Sequence, residues 1–236
     1  MSLFALLGSG EFEPWSADVD RWLLERATGD GRVLILPTAS AAEGDDVFAM
    51  WASKGLAHYE GLGIAAEVVP LRTRADAGRA ELAGMLAGAS VAYFSGGNPA
   101  YLSAVLRGSA FWEALVAERA RGLAYAGCSA GVACLGDLAP DSGAGSFDDE
   151  LWKPGLGVFP GLWFGPHWDA LDSFVPGLVE FIIASVPAGQ TLVGIDEDTA
   201  LVGQDDVWSV AGTGGVHLYR DGEWRHRAPG DLVSLP

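Results

Sequence analysis

The stretch Ala124–Asp137, AYAGCSAGVACLGD, sets one serine between glycines, in Gly127-Cys128-Ser129-Ala130-Gly131. Before it, Leu123–Ala126 is an apolar run that reads as a buried strand. After it, Ala130–Cys134 is a run of small residues that reads as the start of a helix. A strand that turns sharply into a helix needs residues without Cβ clashes, and glycine supplies them. A serine at such a turn is the arrangement of a nucleophile elbow. The helix start behind it offers backbone N–H groups to a developing oxyanion. The competing reading is a small-residue loop in a chain that holds 33 glycines; the strand–turn–helix context favours the elbow.

The same alternation extends upstream. Leu3–Gly8, Arg32–Pro37, Ala65–Leu71 and Val91–Phe94 read as strands. Asp18–Thr28, Val47–Gly61, Asp76–Ala87 and Tyr101–Arg121 read as helices, the last interrupted near Gly108. Apolar strands alternating with helices imply an α/β fold with a mostly parallel sheet covered on both faces. Downstream the character changes. Asp141–Lys153 is acidic, without period, and reads as a surface loop or flap. Val175–Ser185 reads as a further helix. Thr191–Asp196, Ala200–Gln204, Val207–Gly212 and Gly215–Arg220 read as short strands separated by turn residues. The strands from Val207 onward are compatible with an edge hairpin or with contact between two copies of the chain. With 236 residues and no repeat, linker or low-complexity tract, one domain over 1–236 is expected.

Composition narrows the function. Half of the residues are apolar and 19% are charged, which suits a packed core. The formal charge of −17 repels phosphate backbones and acidic lipid, so nucleic-acid and membrane partners are not expected. The N-terminus MSLFALLGSGEFEPW has neither a basic n-region nor a small-residue cleavage site. Cys128 and Cys134 lie six positions apart, where a disulfide would staple little; reduced thiols and a cytoplasmic location are expected.

A serine nucleophile needs a base. The chain has four histidines: His58, His167, His217 and His226. His58 falls in a helix, His217 in a late strand and His226 near the polar C-terminus. His167 follows Pro166 in PGLWFGPHWDAL, on a loop beyond a strand-like run, where catalytic bases tend to sit. An orienting carboxylate is available in GIDEDTAL (Gly194–Leu201), where Asp196, Glu197 and Asp198 interrupt an apolar stretch. Ser95-Gly96-Gly97-Asn98-Pro99 lets the backbone approach a ligand closely at the end of a strand. Gly8-Ser9-Gly10-Glu11 has the same look and is too short for a dinucleotide fingerprint. No histidine or cysteine cluster has metal-ligand spacing, and neither metal nor organic cofactor is implied.

Taken together and in order, LLGSGE, LILPTAS, YFSGGNP, YAGCSAG, GLGVFPGLWFGPHW and GIDEDTAL resemble the cyanophycinase and dipeptidase E family of serine peptidases. The resemblance spans Leu6–Leu201. It implies a three-layer sandwich, flavodoxin-like or class I glutamine-amidotransferase-like, with extra C-terminal strands. It implies Ser129 as nucleophile, His167 as base and Glu197 as the acid, with Asp196 and Asp198 as neighbouring alternatives. It places the oxyanion hole on the N–H groups of Gly97 and Ala130, and makes Asn98 and Trp168 candidates for substrate contact. An α/β-hydrolase order, Ser–acid–His, would instead need His217 or His226 as base.

Amidotransferases of this broad fold carry cysteine at the centre of the elbow. Here that position is Ser129 and Cys128 comes one place early, so Cys128 reads as a small buried residue. The expected activity is hydrolysis of short peptides through an acyl-enzyme, with an esterase or amidase, or a β-aspartyl peptide hydrolase, as alternatives. The Gly-Gly-Asn segment is closer to dipeptidase E, which prefers an N-terminal aspartate. Binding aspartate needs a cation, and between Gly122 and Tyr219 only Lys153 is available. Arg72, Arg74 and Arg107 are the candidates from the first half. Asp141, Asp148, Asp149 and Glu150 instead suggest basic or free-amino substrates, and Trp163, Phe164 and Trp168 are candidates for a pocket wall beside His167.

Overall fold

The computed structural model describes residues 3–144 and 149–235. Its principal sheet begins with five apolar strands: β1 (Leu3–Leu7), β2 (Val33–Leu36), β3 (Ala66–Val68), β4 (Val91–Phe94) and β5 (Ala124–Cys128). They run parallel in the spatial order β1-β5-β4-β2-β3. All of them except β3 are buried along their whole length, the pattern of strands covered on both faces.

Side-chain alternation splits these strands into two cores. Leu3, Ala5, Leu7, Val33, Ile35 and Tyr93 point to one face. There they meet Val19 and Leu23 of α1 (Ala17–Leu24) and Tyr59 of α2 (Asp45–Gly61). Phe4, Leu6, Leu34, Leu36 and Phe94 point to the other face. This face is covered by α3 (Ala80–Gly84), α4 (Pro99–Leu106), α5 (Ala110–Ala120) and the four-residue α6 (Ala130–Ala133). Three layers result, as expected from the alternation.

The later strands divide between sheets. After the short pair β6 (Leu138–Pro140) and β7 (Trp152–Pro154) come β8 (Leu162–Pro166) and β9 (Thr191–Ile195), which pair in parallel. Between them lie α7 (Leu171–Phe174) and α8 (Leu178–Ser185). The chain then crosses at Asp196–Asp198 into the principal sheet. There β10 (Thr199–Gln204) pairs antiparallel with β1, and β11 (Val207–Gly212) antiparallel with β10. It returns for β12 (Val216–Arg220), paired with β9, and β13 (Glu223–Arg227), paired with β12. Finally β14 (Leu232–Val233) covers the edge of β11. The second sheet, β13-β12-β9-β8, buries Phe164, Val193, Ile195, Val216 and Leu218 against the main core. Trp163 and Leu192 on its other face pack against Ile182 of α8.

Several expected boundaries move, each for a local reason. The helix expected over Asp76–Ala87 is a 3-10 turn at Asp76–Gly78 followed by α3, because Arg79 is extended. Tyr101–Arg121 does break near Gly108, whose φ of 63° ends one helix before Ser109 caps the next. The helix expected over Val175–Ser185 begins only at Leu178, after Gly177 with a φ of 85°. The strand expected over Ala65–Leu71 closes at Val68, two residues before Pro70, which has no N–H for a ladder. The strands after Val207 pair within the chain, and β12 belongs to a different sheet from β11. The centre of the acidic loop, 145–148, lies outside the described residues.

Candidate active site

Ser129 sits where β5 ends and α6 begins. Its φ is 50° and its ψ −105°, a combination that favours glycine and costs a residue with a Cβ about 1–3 kcal/mol. The surroundings impose it. Ser129 donates its N–H to the carbonyl of Leu7 at 3.0 Å and its own carbonyl accepts from Val132 and Ala133 at 2.9 Å. The flanking glycines leave no choice of residue: a Cβ on Gly127 would lie 2.4 Å from the Gly131 carbonyl oxygen, and one on Gly131 2.5 Å from that of Phe94. The turn is therefore held from both sides with the hydroxyl turned outward.

His167 and Glu197 come from the second sheet. Pro166 and Ile195 are register partners on the parallel strands β8 and β9. Two residues past the end of β8, the Trp168 N–H reaches the carbonyl of Ile195, the last residue of β9, at 3.0 Å. His167 takes a positive φ of 55°, which turns its imidazole across the strand ends. Its Nδ1 lies 3.0 Å from Glu197 Oε1 and its Nε2 2.9 Å from Ser129 Oγ. This network is satisfied when Nδ1 donates to the carboxylate and Nε2 accepts from the hydroxyl. Asp169 Oδ1 accepts the Glu197 N–H at 2.8 Å, fixing the acid's backbone, and the Phe174 ring meets the imidazole edge-on at 5.7 Å.

The other acids and histidines are engaged elsewhere. Asp196 accepts from His217 Nε2 and from the Gly215 N–H, both at 2.8 Å. His217 in turn shares a 2.6 Å hydrogen bond with His226. The Asp198 carboxylate lies against Gly10. His58 is buried on Asp20 at 2.8 Å. The Ser–acid–His order is thus not what the chain builds.

Gly97 and Ala130 border the same space. Gly97 has a φ of 138°, and a Cβ there would lie 2.4 Å from the Ala39 backbone, so the loop is pressed onto the turn that follows β2. Among the described residues neither N–H finds a protein acceptor, whereas Gly96 gives its N–H to Glu11 Oε1 at 2.8 Å. Glu11 is the residue the sequence reading did not single out. It is buried, and its second oxygen accepts from the Cys128 thiol at 2.9 Å. Burial, then the neighbouring Glu11, pushes the Cys128 thiol well up, and burial raises Cys134 to about 12. Both stay protonated, and Cys128 acts as a buried donor under the elbow.

A cavity of about 550 Å³ opens beside Ser129, His167 and Gly97. Phe164 lines it as expected, but Trp163 is packed behind the sheet against Ile182 and Leu192. Trp168, expected as a substrate contact, is not among the described residues that line the cavity. Its indole lies over Gly165 and Gly194, where a Cβ would approach it to 2.8 and 2.6 Å. It also packs on Trp224 at 5.6 Å. Asn98, the other expected contact, has its Oδ1 accepting the Tyr101 N–H that caps α4 and its Nδ2 donating to Asp141. Among the described residues no arginine lines the cavity. Arg72 pairs with Asp45 and Arg74 with the carbonyls of Val105, Arg107 and Gly108. Arg107 lies beyond the far end of α4, whose first residue, Pro99, borders the cavity.

The model of peptidase family S51 matches residues 4–210. The chain belongs to that family. It is therefore a serine-type peptidase, a hydrolase. The peptidase is similar over its whole length to a crystallised peptidase from an acI-B1 Actinobacterium. The two share 28% identity and a TM-score of 0.91, with 97% of that chain covered. A candidate peptidase E from Listeria monocytogenes EGD-e shares the fold at 18% identity and a TM-score of 0.61, with 97% of this chain and 98% of that one covered. No curated protein matches the peptidase sequence. Among its described residues no helix is long and apolar enough to cross a membrane, and no group of three His, Cys, Asp or Glu side chains is placed to hold a metal ion.

Proposed function

We propose that the protein hydrolyses short peptides through Ser129, His167 and Glu197 by way of an acyl-enzyme. The observation that carries the reading is the continuous chain from Ser129 Oγ to His167 Nε2 at 2.9 Å and from His167 Nδ1 to Glu197 Oε1 at 3.0 Å. Ser129 Oγ attacks the scissile carbonyl as its proton passes to His167 Nε2. Glu197 keeps the imidazole in the required tautomer and stabilises its cationic form. The oxyanion forms where the N–H groups of Gly97 and Ala130 are unspent, donors fixed before the charge develops. Collapse expels the amine, which takes the proton from His167. A water, deprotonated by the same nitrogen, then releases the acyl group.

The test is mass spectrometry of a mixed short-peptide library incubated with the wild type and with Ser129→Ala, alongside labelling by a fluorophosphonate. Cleavage and Ser129 labelling by the wild type alone are expected. A library left intact by the wild type, or cleaved equally by Ser129→Ala, overturns the reading.

A further inference from the structure

We propose that this enzyme selects peptides by an apolar N-terminal residue, with the side chain in the cavity beside Ser129 and the free α-ammonium on Asp141. The inference rests on the Ser129 reading above and adds the substrate class to it. The cavity wall away from Ser129 is made by Trp152, Phe164, Leu171, Leu178 and Ile182. At its rim Phe174 is 59% and Val175 38% exposed, apolar surface that an apolar substrate side chain would cover. Among the described lining residues the titratable side chains are His167 and Asp141, and no lysine or arginine is present. Lys153 stands one residue along β7 from Trp152, which faces the cavity, and so on that strand's opposite face. A side-chain carboxylate would find no cation in the described lining, Lys153 reaching Asp141 only through space, and would meet a second negative charge.

Asp141 is a built acceptor. Its Oδ1 is held by Asn98 Nδ2 at 2.7 Å and by the Gly143 N–H at 3.0 Å. Those two donors, Asn98 first, lower its pKa, with a smaller coulombic contribution from Lys153, so the group is an anion. Among the described residues its Oδ2 accepts no hydrogen bond, and it is the oxygen we assign to the α-ammonium. Asn98 adjoins Gly97, so this oxygen belongs to the oxyanion-loop side of the cavity. In a peptide's first residue the α-nitrogen is about 2.5 Å from the carbonyl carbon that the serine attacks. An ammonium on Asp141, which borders the same cavity as Ser129, would hold the first peptide bond rather than a later one near the serine.

The experiment measures kcat/KM for Leu-X, Phe-X, Met-X and Asp-X dipeptides sharing one X, free and N-acetylated, with the wild type, Ser129→Ala and Asp141→Asn. Leu-X, Phe-X and Met-X should exceed Asp-X by at least about 100-fold. Acetylation should cost the wild type roughly 10- to 100-fold, chiefly in KM, the worth of a charge-assisted hydrogen bond. Asp141→Asn should lose a similar factor on free peptides and little on acetylated ones, a coupling that loss of mere structure would not give. Ser129-dependent cleavage that favours Asp-X, or that ignores acetylation, overturns this inference and leaves the serine-hydrolase reading standing. The acetylation arm uses the wild type alone and decides even if Asp141→Asn does not fold. Absence of any Ser129-dependent cleavage, with no fluorophosphonate label, sinks both.

Discussion

Ser129→Gly and Ser129→Ala should both abolish turnover, yet they should differ in stability, and in an unusual direction. Both lose the hydroxyl and its 2.9 Å bond to His167. They differ in the Cβ, which alanine keeps in a backbone with φ 50° and ψ −105°. That conformation costs a residue with a Cβ about 1–3 kcal/mol, and glycine is free of it. Against this, glycine raises the entropy of the unfolded chain and forfeits about 0.4–1 kcal/mol. The difference leaves the glycine variant more stable by about 1 kcal/mol, or roughly 2–4 °C in Tm for a chain of 236 residues. Equilibrium urea unfolding, followed by tryptophan fluorescence and compared through the midpoint at constant slope, measures it. If alanine is instead the more stable by about 0.4–1 kcal/mol, the ordinary ordering for an unstrained site, the elbow stores no strain and the reasoning fails.

Other substitutions separate the neighbouring parts. Gly97→Ala would push a Cβ into the Ala39 backbone at 2.4 Å; kcat should fall about 10²- to 10³-fold as the donor moves, and an unchanged kcat would remove Gly97 from the oxyanion site. Glu197→Gln should lower kcat by about 10²- to 10⁴-fold, whereas Asp196→Asn, whose partner is His217, should cost less than about tenfold; steady-state kinetics that reverse this order would move the acid's role to Asp196. Cys128→Ala should keep turnover within severalfold while losing about 2–3 kcal/mol, from the sulfur it removes and the Glu11 oxygen left without a donor. Ellman's reagent at pH 8 should find no thiol in the folded enzyme and two after denaturation, since burial raises both; rapid reaction of a folded thiol would contradict the buried-donor role.

Much of this arrangement is legible in the linear chain because it is local. The apolar runs of β1, β2, β4 and β5 lie between glycines and helical patterns, and both faces are covered, so no alternation obscures them. The elbow is contained within Gly127–Gly131, and the residues that shape it are its own neighbours. What the chain does not disclose is the second sheet. Pairing of β8 with β9 joins segments separated by two short helices, and β12 leaves its neighbour β11 to join β9. No local pattern specifies such a register. Asn98 and Trp168 have side chains suited to ligand contact, but each also has a partner far along the chain. Asp141 is 43 positions from Asn98, and Gly194 is the bare surface that receives Trp168. Glu11 is the reverse case, an acid beside a glycine-rich turn with no chemical signature until the fold brings Gly96 and Cys128 onto it.

The four-residue turn Gly8–Glu11 explains how a site split between two sheets is held in one geometry. Its first half is pressed against the crossing that carries Glu197. A Cβ on Gly8 would lie 2.0 Å from the Asp196 carbonyl oxygen, and one on Gly10 2.2 Å from Asp198 Oδ1. The Gly8 N–H bonds to Thr199 at 2.8 Å and Ser9 Oγ accepts the Asp198 N–H at 3.2 Å. Its second half, through Glu11, bonds to Gly96 beside the oxyanion loop and to Cys128 beneath the nucleophile. One short segment therefore contacts the backbone of the Glu197 turn, the Gly97 loop and the residue preceding Ser129. Gly8 is needed because the Ile195 and Asp196 carbonyls approach closer than a Cβ permits, and Gly10 because its φ of 70° sets it against the Asp198 carboxylate and the Trp15 indole. A glutamate is needed because it alone, of the residues there, reaches both donors. The motif Gly-Ser-Gly-Glu, which contributes no atom to the proposed reaction, is thereby the link that makes the distance from Ser129 to His167 a property of both sheets at once.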